Sequence, residues 1–99
     1  MKVFISQPMK DKTDEEILTE RDRMINLVKE KYPNEEVEIL NTFFQGVPHD
    51  AKPLWFLAES LKFLSLADVA VFAPKWNEYR GCKIEHECAV QYGIEVIEV

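Results

Sequence analysis

Short continuous apolar runs alternate along this chain with longer segments whose apolar residues recur every three or four positions, the pattern of βαβ units. Val3-Phe4-Ile5 reads as a first strand, closed by Pro8. Thr13 follows as a helix N-cap, and Glu16 three residues later completes a capping box. Asp14, Glu15 and Glu16 set negative charge against the positive end of the helix dipole. Ile17, Met24, Ile25, Val28 and Tyr32 keep helical spacing until Pro33-Asn34 stops the helix. Val37-Glu38-Ile39-Leu40 is a second strand, and 41–50 is a loop containing Gly46 and Pro48. Pro53 lies near the start of a second helix carrying Leu54, Leu57, Leu61 and Leu64, with Trp55, Phe56 and Phe63 widening its apolar face. Val69 to Ala73 is unbroken and apolar, as expected in the middle of a parallel sheet, and Pro74 ends it. A loop over 75–81 leads into a third helix from about Cys82 to Tyr92, with Gly93 as its stop. Ile94 to Val99 is the last strand.

The 99 residues suffice for one α/β domain with a parallel sheet of about four strands and helices on both faces. Right-handed crossovers place the strands most simply in the order 2-1-3-4. The topological switch point then falls between strands 1 and 3, and ligands in such sheets bind beyond the carboxyl ends of the strands there. Two loops meet at that point: Ser6-Gln7-Pro8-Met9, and the segment from Pro74 to Gly81.

The net charge of −6 argues against binding a nucleic acid polymer or docking on an anionic membrane, both of which need clustered Lys and Arg. It leaves room for a small phosphorylated ligand, which needs only a few local donors. Cys82 and Cys88 lie six apart on one predicted helix, face different ways, and form no CxxC motif. The first residues enter a strand without the apolar core of a signal peptide, and no apolar run is long enough to span a bilayer; the expected location is cytoplasmic.

Glu85 is the most informative residue. Ile84, Cys88, Ala89 and Tyr92 trace the apolar stripe of the third helix, and Glu85 lies within it while Glu87 points away. A carboxylate aimed at the sheet is desolvated, paired or functional, unless it only stabilises the positive helix end. Ser6 and Gln7 offer donors for a hydroxyl or phosphate, or ordinary turn chemistry. Arg80 is either a phosphate partner or a solvated surface residue. Trp76, Tyr79, Phe43 and Phe44 are loop aromatics that either stack a flat ligand or anchor packing. Asp68 opens the third strand at its amino end and reads as a turn or cap residue. Cys82 and His86 share a helix face, but two ligands do not make a zinc site, and neither metal nor cofactor is expected.

Three segments together resemble the nucleoside 2-deoxyribosyltransferase-like superfamily: Val3-Phe4-Ile5-Ser6-Gln7-Pro8-Met9, Leu66-Ala67-Asp68-Val69-Ala70-Val71-Phe72, and Arg80-Gly81-Cys82-Lys83-Ile84-Glu85-His86-Glu87-Cys88-Ala89. The last matches the family's Gly, three residues, Glu, three residues, Ala at the start of a helix. The resemblance implies a three-layer, flavodoxin-like fold. It implies cleavage or re-formation of an N-glycosidic bond in a nucleoside or nucleotide, with Glu85 as the nucleophile that forms a glycosyl ester. It further implies substrate contacts from Ser6, Gln7, Pro8, Met9, Ser60, Trp76, Arg80 and Gly81, and assembly as a homodimer or larger. Phe4 stands where the family usually has Tyr, Ser60 where it has Asp, and Gln7 where it has Gly. The C-terminal segment that helps complete a neighbouring site in the family is not found after Val99. These departures motivate an alternative, a catalytically weakened member that binds a nucleotide or a protein partner. The surplus of Trp55, Phe56 and Phe63 independently favours a homo-oligomer, because so small a domain buries a modest core.

Overall fold

In the computed structural model, which describes residues 1–43 and 49–99, the apolar runs form four strands and the periodic segments three helices. The strands are β1 (Lys2–Ser6), β2 (Glu38–Ile39), β3 (Val69–Phe72) and β4 (Glu95–Glu98). The helices are α1 (Asp14–Lys31), α2 (Pro53–Leu64) and α3 (Arg80–Gln91). The expectations for Phe44, Gly46 and Pro48 lie outside the described residues.

All strand pairs are parallel and the order is β2-β1-β3-β4, the flavodoxin-like order expected from right-handed crossovers. Strand alternation then sorts the side chains into two cores. Val3, Ile5, Val69, Val71 and Ala73 pack on Met24 and Val28 of α1. Phe4, Ala70 and Phe72 pack on Leu64 of α2 and Ala89 of α3. The result is three layers, with α1 on one face of the sheet and α2 and α3 on the other. Fully buried side chains such as Phe4, Met24 and Val28 each contribute roughly 1.5–3 kcal/mol of apolar burial.

Local chemistry sets the boundaries. Thr13 caps α1 by accepting from the Glu16 amide, and the Glu16 carboxylate accepts in return from the Thr13 amide. Gly93, at φ +73°, takes the left-handed conformation that lets the Ile94 amide turn back to the Ala89 carbonyl and ends α3. Asp68 behaves as a boundary residue: its carboxylate accepts from the Lys2 amide at 2.7 Å, at the amino end of the sheet.

Some boundaries differ from expectation. Paired strand β2 shrinks to two residues, since Leu40 already turns away into the loop after one further bond to Val3. Helix α3 starts earlier, at Arg80. Its inward stripe is Cys82, Glu85 and Ala89; Ile84 and Tyr92 are exposed instead. On α2 only Leu64 is buried, and Leu54 is 73% exposed. Among the described residues, no helix is long and apolar enough to cross a membrane.

Candidate functional site

Ser6 ends β1 in the hydrogen-bonded register beside Phe72 of β3, at the carboxyl end of the two central strands. As an even-numbered residue it faces the α2 and α3 layer. Glu85 comes down onto the same spot from α3 because the Cys82, Glu85, Ala89 stripe faces the sheet. The Ser6 hydroxyl donates to Glu85 Oε1 at 2.6 Å in a buried bond. From α2 the Ser60 hydroxyl also favours the carboxylate, more weakly.

Burial dominates the electrostatics. Glu85 is only 8% exposed, and loss of water pushes its carboxyl up to about 7, against the opposing pull of the Ser6 and Ser60 hydroxyls. The group is therefore poised near neutrality, where it can exist as an anion or as an acid. Cys82, also buried and in reach of the Ser6 hydroxyl, has its thiol pushed up to about 11, chiefly by burial. Both groups lie on one helix face, so the site holds one titratable carboxylate beside one inert thiol.

The expected site residues divide. Ser6, Ser60 and Glu85 come together. Pro8 is buried and Met9 half-buried in the turn that follows β1. Arg80 opens α3 from an exposed position, and Gly81 beside it has open space where a side chain would start. Arg80 lines an open depression of ≈ 620 Å³ with Lys10, Asp11, Lys75, Glu78 and Tyr79. Asp11 and Lys75, both on its rim, hold positive φ (62° and 68°), an unusual backbone state for residues with side chains. Glu85 lies five positions after Arg80, a rise of about 7.5 Å along the helix.

Two of the expected residues have side chains engaged away from Glu85. Gln7, one residue after Ser6, turns to the opposite face of the sheet. Its Nε2 donates to the Ile17 carbonyl at 2.9 Å, and its Oε1 accepts from Arg21. The Trp76 ring lies flat on His86, with centroids 3.8 Å apart and planes 8° apart, and tilts against Phe72. His86 in turn meets Glu98 of β4 at 3.1 Å. One aromatic face of Trp76 is thus used to tie the loop after β3 to α3.

Arg21 escaped the sequence reading because its type says surface. Its phase says core: Ile17, Arg21, Met24 and Val28 are the buried residues of α1. Arg21 is 6% exposed, and its guanidinium donates to the Leu40 carbonyl at 2.8 Å and to Gln7 Oε1 and Thr42 Oγ1 at 3.3 Å each. No group of His, Cys, Asp and Glu among the described residues could hold a metal ion. No family model, curated protein or solved structure matches this chain.

Proposed function

We propose that this protein cleaves, or exchanges across, the N-glycosidic bond of a nucleoside or nucleotide, with Glu85 as the nucleophile. The observation that carries the reading is the Glu85 carboxylate, buried at the switch point of the sheet and held at 2.6 Å by Ser6. A structural carboxylate at such a place would be expected to have a basic partner; the partners of Glu85 are hydroxyls.

In the proposed reaction Glu85 Oε2, the oxygen not bonded to Ser6, bonds to the anomeric carbon. The carbon–nitrogen bond breaks and its electron pair leaves with the base, which takes a proton from water. The electron-poor sugar carbon of the transition state is stabilised by the adjacent anion. Water, or a second base, then displaces the ester and frees Glu85. The low-dielectric surroundings of Glu85 strengthen its attraction for that developing positive charge.

Lys10, Lys75 and Arg80 around the depression favour a phosphorylated substrate over a neutral one. Asp11 and Glu78 limit that preference to a local excess of cations. Assembly as a homodimer or larger, through the apolar side of α2 where Leu54 stands 73% exposed, belongs to the same proposal.

A second reading, a nucleotide-binding or partner-binding protein without turnover, is favoured by one observation: Phe4, fully buried two residues before Ser6, has no hydroxyl to orient Glu85. Incubation with each deoxynucleoside and its 5′-monophosphate separates the two. Release of free base, abolished in Glu85→Ala, supports the enzyme. No release together with a nucleotide-dependent rise in melting temperature supports the binding protein.

A further inference from the structure

Gln7 and Ser6 are consecutive residues pointing to opposite faces of the sheet, and each ends in a buried polar cluster. On the α1 side, Gln7 bridges the Ile17 carbonyl at 2.9 Å and the Arg21 guanidinium at 3.3 Å. Arg21 extends the bridge to the Leu40 carbonyl and to Thr42, whose hydroxyl donates to the Ile5 carbonyl at 3.1 Å. These bonds tie α1, the end of β1 and the segment after β2 into one unit. Every buried side-chain nitrogen and oxygen among the described residues has a partner, so the cluster is closed.

The acceptors of Arg21 are all neutral: a carbonyl, an amide and a hydroxyl. Holding a desolvated guanidinium this way is expensive, because no carboxylate accepts from it to offset its lost hydration. Stability alone is therefore a poor account of it. The fork geometry fixes the orientation of planar groups, and here it fixes the amide plane of Gln7.

We propose that Gln7 and Arg21 are positioning residues: they lock the backbone just after Ser6 from the far side of the sheet, so that the Ser6 hydroxyl stays aimed at Glu85. This rests on the reading that Glu85 is the working group. It reassigns Gln7 from substrate contact to support. The peptide between Ser6 and Gln7 is the lever, because rotating it swings both side chains at once, to opposite sides. A turn freed at Gln7 would let the Ser6 hydroxyl swing off Oε1, leaving the anion with the weaker help of Ser60.

The test follows the Glu85 carboxyl by carbon-13 NMR titration, with thermal unfolding alongside. Ser6→Ala is expected to raise the titration midpoint by about one pH unit, the loss of a hydrogen bond to a charged group. Gln7→Ala, far milder than removing Arg21, is expected to raise it comparably. The double variant is expected to rise no further than Ser6→Ala alone, since both act through one hydroxyl. Val28→Ala, buried on the same side of α1, is expected to lower the melting temperature and leave the midpoint in place. The proposal is overturned if Gln7→Ala leaves the midpoint unmoved, if the two shifts add, or if Val28→Ala moves it as far. The readout needs no turnover, so absence of base release with the cycle intact would count against the enzymatic reading and spare this one.

Discussion

Ser6 and Glu85 stand 79 residues apart in the chain, and their side chains meet at 2.6 Å. The contact is made by the two central features of the fold. A parallel pairing of β1 with β3 sets Ser6 at the sheet's carboxyl end, and an inward helix stripe delivers Glu85 to it. Desolvation then does more to the carboxyl than the hydroxyl can undo.

That imbalance makes the site a source of instability at high pH. The folded-state value of Glu85, about 7, lies above its ordinary 4.5. The folded protein therefore holds the proton more tightly than the unfolded chain. The stability this confers is fully present below about pH 4.5 and is lost as pH rises through 7. The full loss is on the order of 3 kcal/mol. Glu85→Gln should accordingly match the wild type near pH 4 and exceed its melting temperature by roughly 12–24 °C at pH 8. Scanning calorimetry of both proteins across that range checks it; a constant difference would refute the buried-acid account.

Catalysis should run the other way with pH. A nucleophile must be ionised, so base release is expected to climb tenfold per unit below pH 6 and level off above about 8, with a midpoint near 7. The measurement is kcat/KM for the best substrate across pH 5–9. A profile flat through neutrality would mean that Glu85 is not the group whose charge matters.

Cys82 is expected to resist alkylation. Its thiol, lifted from 9.0 to about 11, carries about 100-fold less thiolate near neutrality than an ordinary one. Iodoacetamide at pH 7.5 should label Cys88, which is half-buried, well before Cys82, and both once the chain is denatured. Peptide mass spectrometry distinguishes the two positions. Prompt labelling of Cys82 would show that the buried face of α3 opens in solution.

The capping box offers a local check on the fold. Thr13→Ala removes the acceptor for the Glu16 amide and should destabilise by about 1 kcal/mol, a fall of some 4–8 °C in melting temperature. Thr13→Ser should keep most of the loss from appearing. An unchanged melting temperature in the alanine variant would mean that the first turn of α1 contributes nothing to folding.

The readable parts of the sequence were those where two physical signals agree. The run Val69 to Phe72 is both β-prone and wholly apolar, and it is the buried central strand. Thr13 and Glu16 mark one end of α1 and Pro33-Asn34 follows the other. Strand order followed from connection handedness alone. Reading failed where signals conflict. On α3 the expected stripe of Ile84, Cys88, Ala89 and Tyr92 around Glu85 and the observed one of Cys82, Glu85 and Ala89 both fit helical spacing, and only the shape of the facing sheet chooses between them. Arg21 has a surface residue's chemistry at a core residue's phase. Gln7 was assigned to the crevice by its place in the chain, yet its side chain leaves through the opposite face. For Trp76 the sequence left a ligand platform and a packing anchor both open, and only the fold shows one of its faces stacked on His86. For Glu85 the burial could be anticipated; its serine partner required the three-dimensional register.

The two-sided strand β1 has a consequence for how this chain can vary. Its even positions Phe4 and Ser6 face α2, α3 and the acid, and its odd positions Val3 and Ile5 face α1, as does Gln7 just beyond the strand. Deletion of one residue between Lys2 and Ser6 would turn the Gln7 amide to the Glu85 face, and insertion of one would turn the Ser6 hydroxyl to the Arg21 face and set Ile5 against the acid. Length changes there are compatible with the fold only in twos, so any surviving indels in a saturation library should be confined to the loops.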